Sequence, residues 1–451
     1  MNDVLSIGKS HAIVEALVRS PQLRRLFVIS DHANPGLKAR AHDLRVGKTA
    51  DPRVVVDYAK EAKPDFAIVG SEEPLSEGVA DALAQIGVPC VGPRQATARL
   101  EYSKSFTREL IAKYGIAGNP RYRIFRQRDG IEDYLRTQPS FVIKPDGLTG
   151  GKGVKVFEEH FHRIEEAVQY CDELFAKDHK AVVIEERLDG EEFSFQSFFD
   201  GRHIAHMIPV QDHKRAYDGD KGPNTGGMGS YSCADHLLPF LTPDDVAQAA
   251  DINRQVGEAL FKETGQEYKG ILYGGFMRTR DGLRVIEYNC RFGDPEVMNV
   301  LSLLETDFID ICKVIIDGSL DALTVKFRHQ ATVCKYIVPA GYPDKASMVK
   351  DGRVDVGAIL DSPDLDRRLR MYYAAVNDND GTITLTDSRS LAVVGIADTL
   401  FEAEKIAEAA ASSVKGPVFH RKDIGTSQLI QKRIDHMNRI TGEERRQRAA
   451  S

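Results

Sequence analysis

The string RVIEYNCRFGDPE, Arg284 to Glu296, gathers residue types able to hold a metal ion beside a phosphate. RVIEY is apolar and rich in β-formers, and it follows an Asp281-Gly282 turn, so it predicts a strand. Residues two apart on a strand share a face, which sets Glu287 beside Asn289. A carboxylate next to an amide oxygen is a hard-oxygen pair suited to Mg²⁺ or Mn²⁺ that also holds phosphate oxygens. Arg291 follows on that face and can clamp an anion in bidentate fashion. Gly293-Asp294-Pro295-Glu296 then turns the chain and offers further carboxylates, Asp294 among them. A surface strand entering a turn would explain Glu-x-Asn alone. The complete string is much rarer and favours a metal-phosphate site.

A second cluster lies upstream. Phe141-Val142-Ile143-Lys144 reads as a strand ending in lysine, and Pro145 to Gly153 as a glycine-rich loop with Gly150, Gly151 and Lys152, before a strand Val154 to Phe157. Strand, loop and strand make a flap that lays backbone N–H groups over phosphates. It is no Walker loop: Asp146 stands where that motif opens with Gly, Gly153 follows the lysine in place of Ser or Thr, and a strand replaces the helix. Ala181 to Glu186 is a further strand ending in Glu185 and Glu186, and Leu188 to Glu192 turns back. Such an edge can offer backbone groups to an adenine and one acid to ribose hydroxyls. Read singly, these acids more often belong to a solvated turn. Gln211 to Arg215 and the run Gly222 to Gly229 form a polar segment expected outside the core, whose glycines need unusual backbone angles or close approach to a ligand. His213 has no metal-ligand partner at useful spacing and receives no catalytic role.

These groups need elements to position them. Val4 to Ile7, Leu26 to Ser30, Phe66 to Gly70 and Val88 to Gly92 read as strands with helical patterns between, including Gly78 to Ile86 and a helix His11 to Arg19 capped by Ser10. That alternation predicts a doubly wound parallel sheet, with ligands beyond its strand ends near Gly8, Lys9 and Ser10 and along Gly70 to Leu75, where Glu73 is a candidate. A phosphate at Gly8 to Ser10 and a purely structural turn remain equal alternatives. Glu101 to Tyr114 reads as one helix with Lys104 near its start. Ala331 to Pro339, carrying Lys335 as a further substrate candidate, Leu369 to Val376 and Leu391 to Ile396 read as strands, and Ala403 to Ala411 as a helix. The fold expected is multidomain α/β and α+β: an N-terminal parallel-sheet domain (1–102), a central domain (103–325) with a flap near 122–190, a small C-terminal α+β lobe (326–425), and a polar helical tail (426–451) whose Glu443 to Arg446 run is solvated.

Composition narrows the function. A chain of 451 residues is long for one core. A net charge of −7 argues against a general nucleic-acid binder, while small anionic substrates need only a local basic pocket. The six cysteines are scattered without a Cys-x-x-Cys pair, which suits reduced thiols. No apolar stretch is long enough to span a bilayer, and the N-terminus does not read as a signal peptide. The expectation is a cytoplasmic protein, monomer or homodimer, acting on small molecules.

At this point the strings VIKPDGLTGGKGVKV, VIEERLDGEEFSF, QDHKRAYDGDKGPNTGGMGSYS, IEYNCRFGDPE and GPVFHRKDIG resemble the ATP-grasp ligases, and within them the glycinamide ribonucleotide synthetase family. The resemblance runs to about Gly425. ATVCKYIVPAGYP and MYYAAVN are similar to its archaeal-type branch. It implies a central ATP-grasp fold and ligation of glycine to 5-phosphoribosylamine through a glycyl phosphate, with ATP and Mg²⁺ or Mn²⁺. It further implies that Glu287 and Asn289 hold metal, and that Lys144, Lys152 and Arg291 serve catalysis. Lys104, Lys144, Gly150, Gly151 and Lys152 fall to ATP phosphates, and Glu185, Glu186, Leu188 and Glu191 to its nucleoside. Asp212, Lys214, Asn224, Thr225, Gly226 and Asp294 fall, with Arg291, to the substrate pocket.

One departure matters. Family members carry a longer loop, with Gly-Gly-Arg-Glu, before the His-Ala that corresponds to His11-Ala12; here it shrinks to Gly8-Lys9-Ser10. That keeps open a ligase acting on another amine, and, further off, a non-catalytic nucleotide-binding protein. Biotin-dependent carboxylation is disfavoured, because the chain has no Ala-Met-Lys-Met site. Lys9→Ala should raise the apparent KM for phosphoribosylamine and leave that for ATP in place, read from initial rates; an unchanged acceptor dependence means that the short loop has lost this role.

Overall fold

The computed structural model describes residues 1–8, 10–150, 153–379 and 381–442. Among them no helix is long and apolar enough to cross a membrane. The N-terminal sheet is parallel throughout, in the order β3 (Asp43–Val46), β2 (Leu23–Ser30), β1 (Asn2–Ile7), β4 (Phe66–Val69), β5 (Cys90–Val91). Helices cover both faces of near-continuous apolar strands, as parallel sheets require. The order reverses between β1 and β4, which places Gly8, Ser10 and the segment Gly70–Glu72 at the switch point. β3 escapes the sequence pattern because its four residues at the sheet edge lack a buried face.

The helix expected over Glu101 to Tyr114 is two, Gln95–Tyr102 and Lys104–Lys113. Ser103 between them is extended, and its hydroxyl caps the second helix by accepting from the Phe106 N–H at 3.2 Å. The chain then enters the flap, a four-stranded antiparallel sheet ordered β6 (Tyr122–Phe125), β9 (Val182–Glu186), β7 (Phe141–Pro145), β8 (Lys155–Val156). Phe141, Ile143, Cys171 and Ile184 belong to a core of its own, separate from that of the body.

The body is an antiparallel sheet ordered β11 (Ile204–His206), β10 (Gly190–Asp200), β16 (Lys269–Thr279), β17 (Gly282–Asn289). The long helix Pro243–Thr264 starts with a Thr242–Asp245 capping box, and Ile252, Val256 and Leu260 join the body core. Between β11 and this helix the chain forms β12 (Gln211–Asp212), the hairpin β13 (Arg215–Tyr217) and β14 (Lys221–Asn224), and β15 (Gly229–Ser232). This segment is less peripheral than its polarity suggests, since Gln211 and His213 are buried.

β12 and β15 join the C-terminal sheet, in the order β12-β15-β18 (Ala331–Pro339)-β23 (Leu391–Ala397)-β20 (Leu369–Tyr373), with β24 (Val418–Phe419) on β18. One sheet therefore runs across the boundary expected at 325. β19 (Arg353–Val354), β22 (Thr382–Leu385) and β21 (Val376–Asn379) form a separate sheet. The single strand expected over Leu369 to Val376 is thus split. Ala374 and Ala375 leave the ladder to donate to the Ser390 and Arg389 carbonyls, while the Asn34 amide of the N-terminal domain caps the Tyr373 and Ala374 carbonyls.

The helix Leu400–Ser413 lies so close to β23 that a Cβ at Gly395 would stand 2.0 Å from the Ala403 carbonyl oxygen. Gly395→Ala should destabilise the fold by about 1–3 kcal/mol through overpacking; a urea midpoint equal to wild type would show that the helix yields freely.

Candidate active site

A cleft of about 1010 Å³ opens between flap, body, N-terminal domain and C-terminal lobe. Its wall starts from a buried knot. Arg108, on the inner face of the helix Lys104–Lys113, donates through Nε and Nη2 to the two Glu185 oxygens at 2.6 and 2.9 Å. The same guanidinium reaches the Val285 and Ile286 carbonyls of β17 at 3.0 and 2.7 Å. Lys144, at the end of β7, bonds Glu185 at 2.8 Å and the Ile286 carbonyl at 3.2 Å. Glu185 therefore serves to hold Lys144 and the flap root. Both its oxygens are engaged, so its side chain is not free for the nucleoside to which the resemblance assigns it: two cations already compensate its buried charge.

Lys104 donates to the Gly147 carbonyl at 2.8 Å, anchoring the start of the glycine-rich loop. Asp146 ties that loop to the helix from the other side, accepting from the Ser103 and Ser105 hydroxyls at 3.1 and 2.6 Å. Burial, with Lys144 nearby, holds the Lys104 ammonium below its ordinary range. Gly150 lines the cleft. Gly151, Lys152 and Lys9 lie outside the described residues.

Glu287 and Asn289 stand at the end of β17, opposite Gly275 and Tyr273 of β16, and both line the cleft. Burial pushes the Glu287 carboxyl up, but Lys214, Lys144, Lys104 and Arg291 outweigh it and hold it below its ordinary range. It is thus an anion ready for a cation. Beyond the strand, Arg291 lies between Glu72 at 3.3 Å and Glu101 at 3.1 Å. Burial raises the Glu101 carboxyl to about 7, although Arg291 opposes it. Glu72, and not Glu73, lines the cleft; Glu73 is exposed on the far side of its helix turn, which corrects that choice.

Substrate candidates converge on one end. Asp212 is pushed well above the usual carboxylate range, first by burial and then by Glu296. Glu296 is buried under the Tyr273 hydroxyl, which donates to it at 2.9 Å, so the turn does not present it freely. Asp294 accepts from the Tyr336 hydroxyl at 2.6 Å and pairs with Arg389 at 3.0 Å. Arg389 also donates to the Gly226 and Gly227 carbonyls, both at 3.0 Å, fixing the loop that follows Asn224 and Thr225. Gly227, at φ +115°, is required there, because a Cβ would stand 2.6 Å from both Asp212 Oδ1 and Pro295 Cδ. Lys214 reaches Glu192 at 3.6 Å and Glu287 at 3.8 Å.

Other expectations separate. Glu186, Leu188, Glu191 and Ser10 line the cleft, whereas Gly8 is not among its lining residues. Glu186 accepts from the Arg121 N–H and Nε, both at 2.8 Å. Ser10 holds the N-cap place of the helix His11–Val18 without a side-chain cap bond. Lys335 is no part of the cleft: it is fully buried on β18, donating to Glu404 and Glu408 at 2.7 Å and to the Lys422 carbonyl at 2.8 Å. Alternation along β18 sends Lys335 to the helix-covered face and Tyr336 to the cleft. Arg108, Glu72, Glu101 and Arg389 escape sequence reasoning, and only the unusual density of charge near the glycine-rich strings hints at them.

A glycine-rich flap and a carboxylate–amide strand end facing each other across lysines define an ATP-grasp ligase. The chain matches the family models of the phosphoribosylglycinamide synthetase N domain over residues 4–101, ATP-grasp (A) domain over 102–297 and C domain over 332–427. It is 50% identical over 435 residues to the phosphoribosylamine–glycine ligase of Methanocella arvoryzae, covering 96% of this chain and 98% of that one. Identity to the Pyrococcus furiosus enzyme of that name is 46% over 437 residues, covering 97% and 96%. The solved phosphoribosylamine–glycine ligase of Thermotoga maritima superposes with a TM-score of 0.77 at 26% identity, covering 93% of this chain and 99% of that one. Biotin carboxylase of Campylobacter jejuni shares the fold, with a TM-score of 0.71 at 14% identity, covering 97% and 98%. This chain belongs to the phosphoribosylglycinamide synthetase family, as the sequence resemblance implies.

Burial raises the Glu185 carboxyl, Arg108 and Lys144 lower it more, and it ends at about 2 against an ordinary 4.5. Because the folded value is the lower one, this stability is complete above pH 4.5 and is lost as pH falls toward 2. Glu185→Gln should flatten that acid limb, and Arg108→Met should cost about 3–5 kcal/mol at neutral pH. Urea midpoints at pH 7 and pH 3 check both; an unaltered Arg108→Met midpoint would remove the knot from the stability of the fold.

Proposed function

We propose that this chain ligates glycine to 5-phosphoribosylamine, converting ATP to ADP and phosphate, by way of glycyl phosphate. One observation carries the reading: Lys104 and Lys144 on one side and Glu287 and Asn289 on the other line a single cleft in a chain of this family. In the first step a glycine carboxylate oxygen bonds to the γ-phosphorus as the bond to the β-bridging oxygen breaks, releasing ADP. Both reactants are anions, so the step needs fixed positive charge, which Lys144 and Lys104 supply, with Lys152 from the flap. Arg291 receives the glycine carboxylate, near the end of the cleft that Asp212 and Asp294 line. In the second step the phosphoribosylamine nitrogen bonds to the acyl carbon, the acyl C–O bond breaks and phosphate leaves. The nitrogen must then lose a proton, and Asp212, whose carboxyl is raised by burial and by Glu296, is the group suited to take it. Closure of the glycine-rich loop keeps water from the acyl phosphate.

ATP-grasp ligases work with a divalent cation. Among the described residues no group of three or more His, Cys, Asp or Glu could cage one. The two oxygen donors at Glu287 and Asn289 instead fit an ion sharing its shell with nucleotide phosphates and water. Mg²⁺ or Mn²⁺ held there would neutralise phosphate charge. The short loop at Gly8 to Ser10 supports a second reading, the same chemistry on another amine.

Release of ADP and formation of glycinamide ribonucleotide, measured with and without glycine and fresh phosphoribosylamine, test the reading. Turnover requiring both is expected. Turnover with glycine that ignores phosphoribosylamine would transfer the case to the second reading. Chelation should abolish the reaction and Mg²⁺ restore it, and Glu287→Ala should lower kcat at least about hundredfold with little loss of stability. A Glu287→Ala enzyme at the wild-type rate in Mg²⁺ would take that carboxylate out of the mechanism.

A further inference from the structure

The helix Ser427–Thr441 begins where the family models end, at residue 427. Thr426 caps it and Gly442 closes it in a left-handed turn. Leu429 and Met437 are buried, and Ile430 and Ile440 pack partly buried against the core. Its polar contacts gather beside the cleft, which Arg433 lines. Arg433 and His436, three apart, share one face. The His436 ring bridges two carboxylates, with Nδ1 at 2.7 Å from Glu191 and Nε2 at 3.1 Å from Asp189. Arg433 donates to Asp220 at 2.7 Å and stands 3.4 Å from the second Glu191 oxygen.

Two of these three anchors, Glu191 and Asp220, line the cleft. Glu191 is 5% exposed and lines it on β10, next to the Glu186–Leu188 edge, and its other neighbour, the Gln211 amide, is 3.4 Å away. A carboxylate this buried needs a close partner, and His436 is the nearest. Asp220 lines the cleft at the tip of the β13–β14 hairpin, which runs directly into Asn224, Thr225 and Gly226. Arg433 thus stands where the nucleoside side of the cleft meets the substrate loop. Beside it lies His213, buried with neither ring nitrogen hydrogen-bonded.

We propose that the helix Ser427–Thr441 is a wall of the nucleotide cleft, in which Arg433 and His436 are positioning residues that orient Glu191 and the β13–β14 hairpin toward the nucleoside end of ATP. This deepens the ligase reading and rests on it. Mutation of the helix face therefore acts on nucleotide binding before it acts on glycine.

The test uses the full chain with a non-hydrolysable ATP analogue in equilibrium titration, together with initial rates against ATP and glycine. Arg433→Ala and His436→Ala should each weaken analogue binding and raise the KM for ATP about tenfold, with the KM for glycine changed less than about twofold. His436→Asn, whose amide can replace the Nδ1 contact, should recover most of the loss. In a Glu191→Gln background His436→Ala should add little, since both act through one contact. The inference is overturned if analogue affinity is unchanged. It is equally overturned if the KM values for ATP and glycine rise together while the melting temperature falls, or if His436→Asn behaves as His436→Ala. A wild-type chain that binds the analogue but makes no glycinamide ribonucleotide would sink the ligase reading alone; a wild-type chain that binds no nucleotide would sink both.

Discussion

The cleft depends on one buried guanidinium. Arg108 has no solvent to fall back on, and its hydrogen bonds go to a carboxylate on the flap and to two carbonyls of the body strand that carries Glu287. A charge in that position is costly unless every donor is matched. Here the match joins β9 to β17 and holds Lys144 against both. Since the outer flap packs on its own core, the knot fixes its root: β7 pairs with β9 along its length, so Lys144 stays in register with the carboxylate–amide pair.

Around the knot the cleft separates its ionisable groups by surroundings rather than by type. Glu287 sits among lysines and is held ionised, while Asp212 sits beside another buried acid and is pushed toward its protonated form. Carboxylates driven in opposite directions within one cavity can do opposite work, one as a fixed anion and one as a proton carrier. Arg291 and Arg389 are each set against acids from other parts of the chain, so neither guanidinium stands uncompensated in the cleft.

Local pattern made some of this legible and long-range pairing hid the rest. The period of two in RVIEYN sets Glu287 beside Asn289, and the apolar run before Lys144 sets the lysine at the mouth of a glycine-rich loop. Those features are written within a dozen residues. Arg108 meets Glu185 77 residues later and Val285 177 residues later, so no window contains its role. Glu185 misleads for the same reason: a strand-end acid looks free until Arg108 is placed beside it. Lys335 and Glu73 fail by phase, one strand position or one helix position away from residues that do face the cleft, Tyr336 and Glu72. The helix break at Ser103 is hidden because a capping serine inside a periodic pattern reads as one more polar residue.

The sheet that joins β12 and β15 to β18 also has a history in time. β15 pairs early with β12 but finds its second partner only when Ala331 to Pro339 exist, about a hundred residues after it has been made. At ribosomal speeds that interval is roughly 5–20 s, during which the strands flanking the Asn224–Gly226 loop have an unclaimed edge. The segment suits such a wait: its glycines and charges make a poor template for pairing with a neighbour, as edges of natural sheets usually are. The substrate loop is therefore among the last parts of the molecule to take shape, and a ribosome stalled before residue 331 would carry that loop without the strand that fixes it.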